Sequence, residues 1–152
     1  MLKRTHLAIG LAAALYFLPY VTNKIWFVPI ALIATMLPDI DSGFSWLGKK
    51  PIFKPVQMMT EHRGIFHTYT LCIIFTALLA FFYPVFALPF FVGYSFHLFT
   101  DSFTPQGIRP FWPFKKVSQG VIRSGGKTES TIFYVFLIID LILVVTTIYS
   151  LF

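Results

Sequence analysis

The sequence predicts an all-α fold: a polytopic bundle of about five membrane helices, forming a single membrane-embedded domain over residues 1–152. Three observations carry this. Hydrophobic residues make up 57% of the chain and charged residues only 12%, with a mean hydropathy of +0.75. Ordinary soluble domains hold about 25% charged residues, so this chain has too few to cover a water-facing surface. The apolar residues fall in long runs, and the groups capable of chemistry are gathered in short polar islands between them.

The runs set the elements in order. The first helix is expected over Leu7–Val21, opened by Thr5 and His6. The preceding Met-Leu-Lys-Arg resembles the start of a secretory signal, but Tyr16-Phe17-Leu18-Pro19-Tyr20 follows instead of a small-x-small cleavage site, so the segment is read as a retained helix. A second run, Ile25–Leu37, ends at Pro38, which biases Leu37 away from helix. Tyr69–Tyr83 and Val85–Thr100 are separated by Pro84, and Ile132–Phe152 is last. At about 1.5 Å per residue the last run reaches about 30 Å, the thickness of a bilayer core. The other four reach roughly 20–24 Å and need flanking residues or local thinning to cross. The segments Ser42–Met59 and Ser102–Ser130 mix Trp, Phe, Pro and Lys and are expected to lie in the headgroup layer over the site.

Charge orients the bundle. Lys3 and Arg4 lie at the amino end; Lys49, Lys50, Lys54 and Arg63 in the second link; Arg109, Lys115, Lys116, Arg123 and Lys127 in the fourth. The first link carries Lys24 alone and the third no basic residue. With five spans, the amino end and the second and fourth links share one side, and the positive-inside rule makes that side cytoplasmic. The net charge of +6 then reflects topology and contact with anionic membrane lipids; no nucleic-acid motif accompanies it. The single cysteine, Cys72, lies inside a run and is read as packing.

All four islands fall on that same face. They are Thr5-His6, Leu37-Pro38-Asp39-Ile40-Asp41-Ser42, Glu61-His62-Arg63-Gly64-Ile65-Phe66-His67-Thr68, and His97-Leu98-Phe99-Thr100-Asp101. His97 and Asp101, four apart, share a helical face and can grip one metal, although a simple His–Asp hydrogen bond would look the same. Asp39 and Asp41 suit terminal and bridging ligands, or a plain helix cap. His62 and His67, five apart, need a non-helical turn to converge, and Gly64 can supply it. His6 taken alone reads as structural; its shared face with the others makes it a ligand candidate. Together His6, Asp39, Asp41, His62, His67, His97 and Asp101 are enough for one or two divalent ions. Paired metals are a recurrent device for phosphoester hydrolysis. Zinc is the first expectation, with manganese or iron next.

The ordered set Thr5-His6, Leu37-Pro38-Asp39-x-Asp41, His62-Arg63-Gly64-x-x-His67 and His97-x-x-x-Asp101, followed by Thr104-Pro105-x-Gly107 and Trp112-Pro113, resembles the YdjM/YbcI family over nearly the whole chain. That resemblance implies a bacterial or archaeal inner-membrane, metal-dependent hydrolase. More distantly, the His-x-x-x-Asp helix resembles the zinc-dependent phospholipase C and P1 nuclease group, but with neither an amino-terminal Trp ligand nor a second His-x-x-x-acid motif.

The functional expectation is a metal-dependent hydrolase of a phosphoester, a phospholipid in particular because the site lies at headgroup depth. Arg63, with Arg109 or Lys127, would hold the phosphate, and Glu61 would handle a proton. Two alternatives stand beside it. One is a non-catalytic membrane scaffold whose metal ties helices together. The other is a metal carrier or sensor, for which Asp140 in the last run is the one ionisable residue along a path through the membrane.

Overall fold

The computed structural model describes residues 1–41, 51, 54 and 64–149. Five α-helices occur among the described residues: α1 Lys3–Phe17, α2 Lys24–Met36, α3 Tyr69–Phe82, α4 Pro84–Asp101 and α5 Lys127–Tyr149. The fold is all-helical; the β structure among the described residues is one isolated antiparallel bridge, Ile108 to Ser118.

Each helix follows its apolar run, with shifted ends. α1 starts at Lys3, four residues before the run, because Lys3, Arg4, Thr5 and His6 are all helix-compatible. It gives way at Leu18 to a 3-10 turn with Pro19 at its start. α2 stops at Met36, as Pro38 requires, yet Leu37 keeps right-handed helical angles and the chain runs directly into a tight 3-10 turn, Pro38–Asp41. The proline therefore ends the α-helix by removing a donor, not by forcing an extended residue. α3 is capped by Thr68, whose hydroxyl oxygen accepts the Leu71 N–H at 3.1 Å. α4 begins with Pro84 in the first turn, where no intrahelical partner for an N–H is lost.

α2 packs along α4, and α1 lies against α2, α4 and α5; α3 packs on α4. Small residues set the closeness of these contacts. A Cβ at Gly93 would overlap the Ala31 carbonyl, so α2 and α4 touch backbone to backbone there. This is how helices associate where apolar burial gives no preference for protein over lipid. One apolar cluster, around Ala13, Ala14, Phe27, Ala31 and Val92, fills the α1–α2–α4 interior. A second, around Ala34, Cys72, Phe90, Tyr94 and Leu98, joins α2, α3 and α4.

α5 is the helix, among those described, long and apolar enough to cross a bilayer; α3 is apolar but shorter. Leu137, Ile138, Leu141 and Ile142 of α5 point outward, as do Ile73, Ile74 and Leu78 of α3. The segment after α4 folds back on the helix ends. Phe103 and Thr104 carbonyls accept Ile122 and Gly120 N–H groups, and the Tyr69 N–H at the start of α3 donates to Pro110 at 2.7 Å. Gly107 sits at φ +62, where a Cβ would run into the Ser118 carbonyl, so the turn at the bridge requires glycine.

Candidate metal centre

Four separate pieces of chain deliver polar side chains to one point. His6 comes from the first turns of α1, Asp39 and Asp41 from the 3-10 turn that ends α2, His67 from the 3-10 turn before α3, and His97 and Asp101 from the last turns of α4. His6, His67, His97, Asp41 and Asp101 are all buried, whereas the Asp39 side chain remains 20% exposed and so marks the open side of the site.

The three imidazoles share one arrangement. His97 Nδ1 lies 2.8 Å from the Thr35 carbonyl oxygen. A carbonyl only accepts, so the proton is on Nδ1 and the lone pair on Nε2. His67 Nδ1 lies 3.2 Å from Asp41 Oδ2, with the same consequence. The Thr100 hydroxyl donates to the His97 carbonyl at 2.8 Å, which leaves its oxygen to accept from His6 Nδ1 at 2.8 Å. All three rings therefore turn Nε2 inward. An acceptor behind Nδ1 is the usual way a protein orients a metal-binding histidine.

Those nitrogens face carboxylates. Asp101 Oδ2 lies 3.8 Å from both His67 Nε2 and His97 Nε2, and Asp39 Oδ1 lies 3.9 Å and 3.8 Å from the same two atoms. His6 Nε2 is 3.3 Å from the other oxygen of Asp101, which also pairs with the Met1 amino group. Buried Nε2 of His97 has no hydrogen-bond partner among the described residues. Lone pairs from imidazole and carboxylate aimed at one another repel unless a cation sits among them.

The donor set suits a divalent ion. Two groups could hold one: His6, His97 and Asp101, and Asp39, His67 and His97. They share His97, whose single Nε2 lone pair serves one ion at a time. Nε2 of His67 and of His97 each lie 3.8–3.9 Å from an oxygen of Asp39 and of Asp101, so the two imidazoles and the two carboxylates face a common space. Asp101 directs one oxygen toward His6 and the other toward His67 and His97, so it stands between the two groups.

Burial holds the Asp39 carboxyl above the ordinary carboxylate range, against the pull of His6 and His67.

Six residues singled out from sequence, His6, Asp39, Asp41, His67, His97 and Asp101, are thus brought together. Asp41 stands behind the His67 ring, on Nδ1, and not among the inward-facing atoms. Glu61, His62 and Arg63 lie outside the described residues. Arg109 is exposed beside the Ile108–Ser118 bridge, and Lys127 opens α5. Asp140 is buried on α5, and neither carboxyl oxygen is hydrogen-bonded among the described residues. It stands eleven residues, about 16 Å, along the helix from Glu129, whose carboxylate accepts the Leu2 N–H at 2.5 Å. Sequence reasoning missed Thr35 and Thr100. Thr100 sat within an island, three residues after His97, and its hydroxyl was the available signal; Thr35 contributes only its backbone carbonyl, which any residue would offer.

A family model described as YdjM inner membrane protein matches residues 1–151. The inner membrane protein YdjM of Escherichia coli K12 is 36% identical over 132 residues, covering 74% of this chain and 66% of that protein, and the Shigella flexneri protein of the same name matches to the same extent. The match thus spans just under two thirds of the length of these relatives. No solved structure matches the chain.

Proposed function

Since this chain belongs to the family of YdjM inner membrane proteins, we propose that it is a metal-dependent hydrolase of the inner membrane that acts on a phosphoester at headgroup depth. The observation that carries this reading is the inward convergence of three Nε2 atoms whose Nδ1 atoms are each held by an acceptor. A bound divalent ion would supply Lewis acidity and an activated water. His6, His67, His97, Asp39 and Asp101 would hold one or two such ions. Asp41, Thr35 and Thr100 fix the ring orientations. Asp39, on the open side, stands where a substrate would enter. Arg63 is proposed to hold the phosphate with its planar fork, and Glu61 to carry a proton.

A multi-pass topology with the site facing the cytoplasm is part of the same reading. It is supported by the basic residues that flank the site in sequence. Reporter fusions at Lys116 should read cytoplasmic and fusions at Tyr83 should read outside; the opposite pattern refutes the orientation.

The enzymatic reading is tested on the purified protein. Metal content is measured by mass spectrometry, followed by turnover of phosphodiester and phospholipid substrates. His97→Ala and Asp101→Asn should each reduce bound metal and abolish hydrolysis while the protein still inserts. Tightly bound metal with no turnover on any phosphoester would favour a structural metal that ties helices together.

A further inference from the structure

Beside the centre runs a cleft of about 350 Å³ walled by Leu37, Ile40, Phe66, Phe75, Leu79 and Phe90, with the Tyr94 ring completing it. Among the described residues its wall is apolar, since the Tyr94 hydroxyl donates to the Phe66 carbonyl at 2.6 Å. We propose that this cleft is the seat of one acyl chain of the lipid whose phosphoester lies at the metal centre. The proposal rests on the hydrolase reading for the role of the centre, but the cleft's occupancy is a separate fact.

Continuity with the centre comes first. Leu37 and Ile40 bracket Asp39, Phe66 precedes His67, and Tyr94 lies one turn before His97. The cleft therefore lies beside the centre and not at a remote end of the bundle. Its wall runs from Phe66, just ahead of α3, through Phe75 to Leu79, which stands ten residues, or about 15 Å, along that helix from its first residue. Phe75 and Phe90, with ring centroids 6.3 Å apart, form its two sides.

Size selects the occupant. At about 30 Å³ for a group the size of a water or a methylene, the cleft takes roughly a dozen such groups. A single extended hydrocarbon chain of that length also spans about the distance just given. A helix is about 10–12 Å across and does not fit. A free phosphate or other small anion would find no donor in these walls. The wall chemistry and the dimensions agree on one hydrocarbon chain, with its polar end at Asp39. A methylene buried here gains much relative to water, yet little relative to bilayer. The cleft therefore positions the chain more than it extracts it.

The test uses the full chain in nanodiscs of phosphatidylethanolamine and phosphatidylglycerol, with a trace of phosphatidylglycerol carrying a diazirine midway along one acyl chain. After photolysis, adducts are mapped by mass spectrometry. Labelling of Phe75, Leu79 and Phe90 should exceed, several-fold, that of Ile138 and Leu141, which are apolar and exposed on α5. Leu79→Trp, which fills the cleft, should cut adducts at Phe75 and Phe90 several-fold while metal content stays unchanged. Labelling in simple proportion to exposure, or no effect of Leu79→Trp, overturns the proposal. His97→Ala should retain the labelling. Selective labelling of a protein that hydrolyses nothing would sink the hydrolase reading alone, and phosphoester turnover with uniform labelling would sink the cleft alone.

Discussion

His97 Nδ1 and the Thr35 carbonyl meet at 2.8 Å across the contact between α2 and α4. Thr35 lies in the last turn of α2, where carbonyls have no intrahelical partner. The early stop imposed by Pro38 thus leaves an acceptor free at the place where His97 needs one. The bond fixes the tautomer of His97 and sends its lone pair toward Asp39 and Asp101. Its length depends on how closely the two helices approach one turn earlier, at Gly93.

Gly93 is therefore expected to control the centre without touching it. A side chain there would overlap the Ala31 backbone, which cannot swing aside as a side chain could. Gly93→Val should push α2 from α4, lengthen the His97–Thr35 bond and lower both thermal stability and bound metal. Overpacking of this kind costs about 1–3 kcal/mol or more. The check is metal content and unfolding temperature together, compared with Gly125→Val, where nothing lies within 4 Å of a new Cβ. Because Gly125 sits at φ +78, its variant is strained locally but should keep its metal. Equal metal content in the two variants would refute the coupling.

Thr100 tests the second orienting contact. Thr100→Val keeps the shape and removes the oxygen that holds His6 Nδ1. Loss of an outer partner of this kind typically costs about 10–100-fold in metal affinity or activity. Competition with a zinc chelator should show a drop in that range, with Thr100→Ser restoring most of it. An unchanged affinity would mean that His6 is not part of the ion's surroundings.

Asp39 allows the cost of charge to be separated from its use. Burial raises its folded-state pKa, so the ionised carboxylate destabilises the metal-free fold. The sign follows: the penalty is absent below the unfolded pKa and grows as pH rises through the folded one. Asp39→Asn keeps the size and removes the charge. In chelator-treated protein at neutral pH it should unfold at a temperature equal to or above the parent's. With metal present the order should reverse, because the parent gains from bound ligand and the variant does not. A variant less stable than the parent in both states would show that the carboxylate is held by favourable contacts instead.

Much of this was legible in the sequence, for definite reasons. Helix existence followed from run length, and Pro38 and Pro84 marked breaks that the structure keeps. His97 and Asp101 were readable as a pair because a four-residue spacing has one meaning on a helix. The islands were expected to meet on one face, and the helix ends bring His6, Asp39, Asp41, His67, His97 and Asp101 together. Helix starts were less legible, since Lys3 to His6 and Lys127 to Thr131 are polar yet helix-compatible. So was the division of labour between Asp39 and Asp41. Which of two carboxylates in a tight turn faces the centre depends on the turn's angles, and here Asp41 backs His67 while Asp39 faces inward. The role of the Thr35 carbonyl left no trace in sequence at all.

Asp140 remains as the charge without an account. Both its oxygens are buried on α5 with no hydrogen-bond partner among the described residues. An unsatisfied buried polar group of this kind costs about 1–3 kcal/mol, and replacement by an apolar side chain of similar size removes the cost. Asp140→Leu should therefore raise the unfolding temperature in detergent. Asp140→Asn, which leaves polar atoms in the same place, should raise it less or not at all. Metal content should be the same in both, since the residue stands apart from the islands along its helix. If instead Asp140→Leu is no more stable and loses metal or turnover, the carboxyl is retained for function, and the carrier reading, which needs an ionisable group within the membrane, gains its first support.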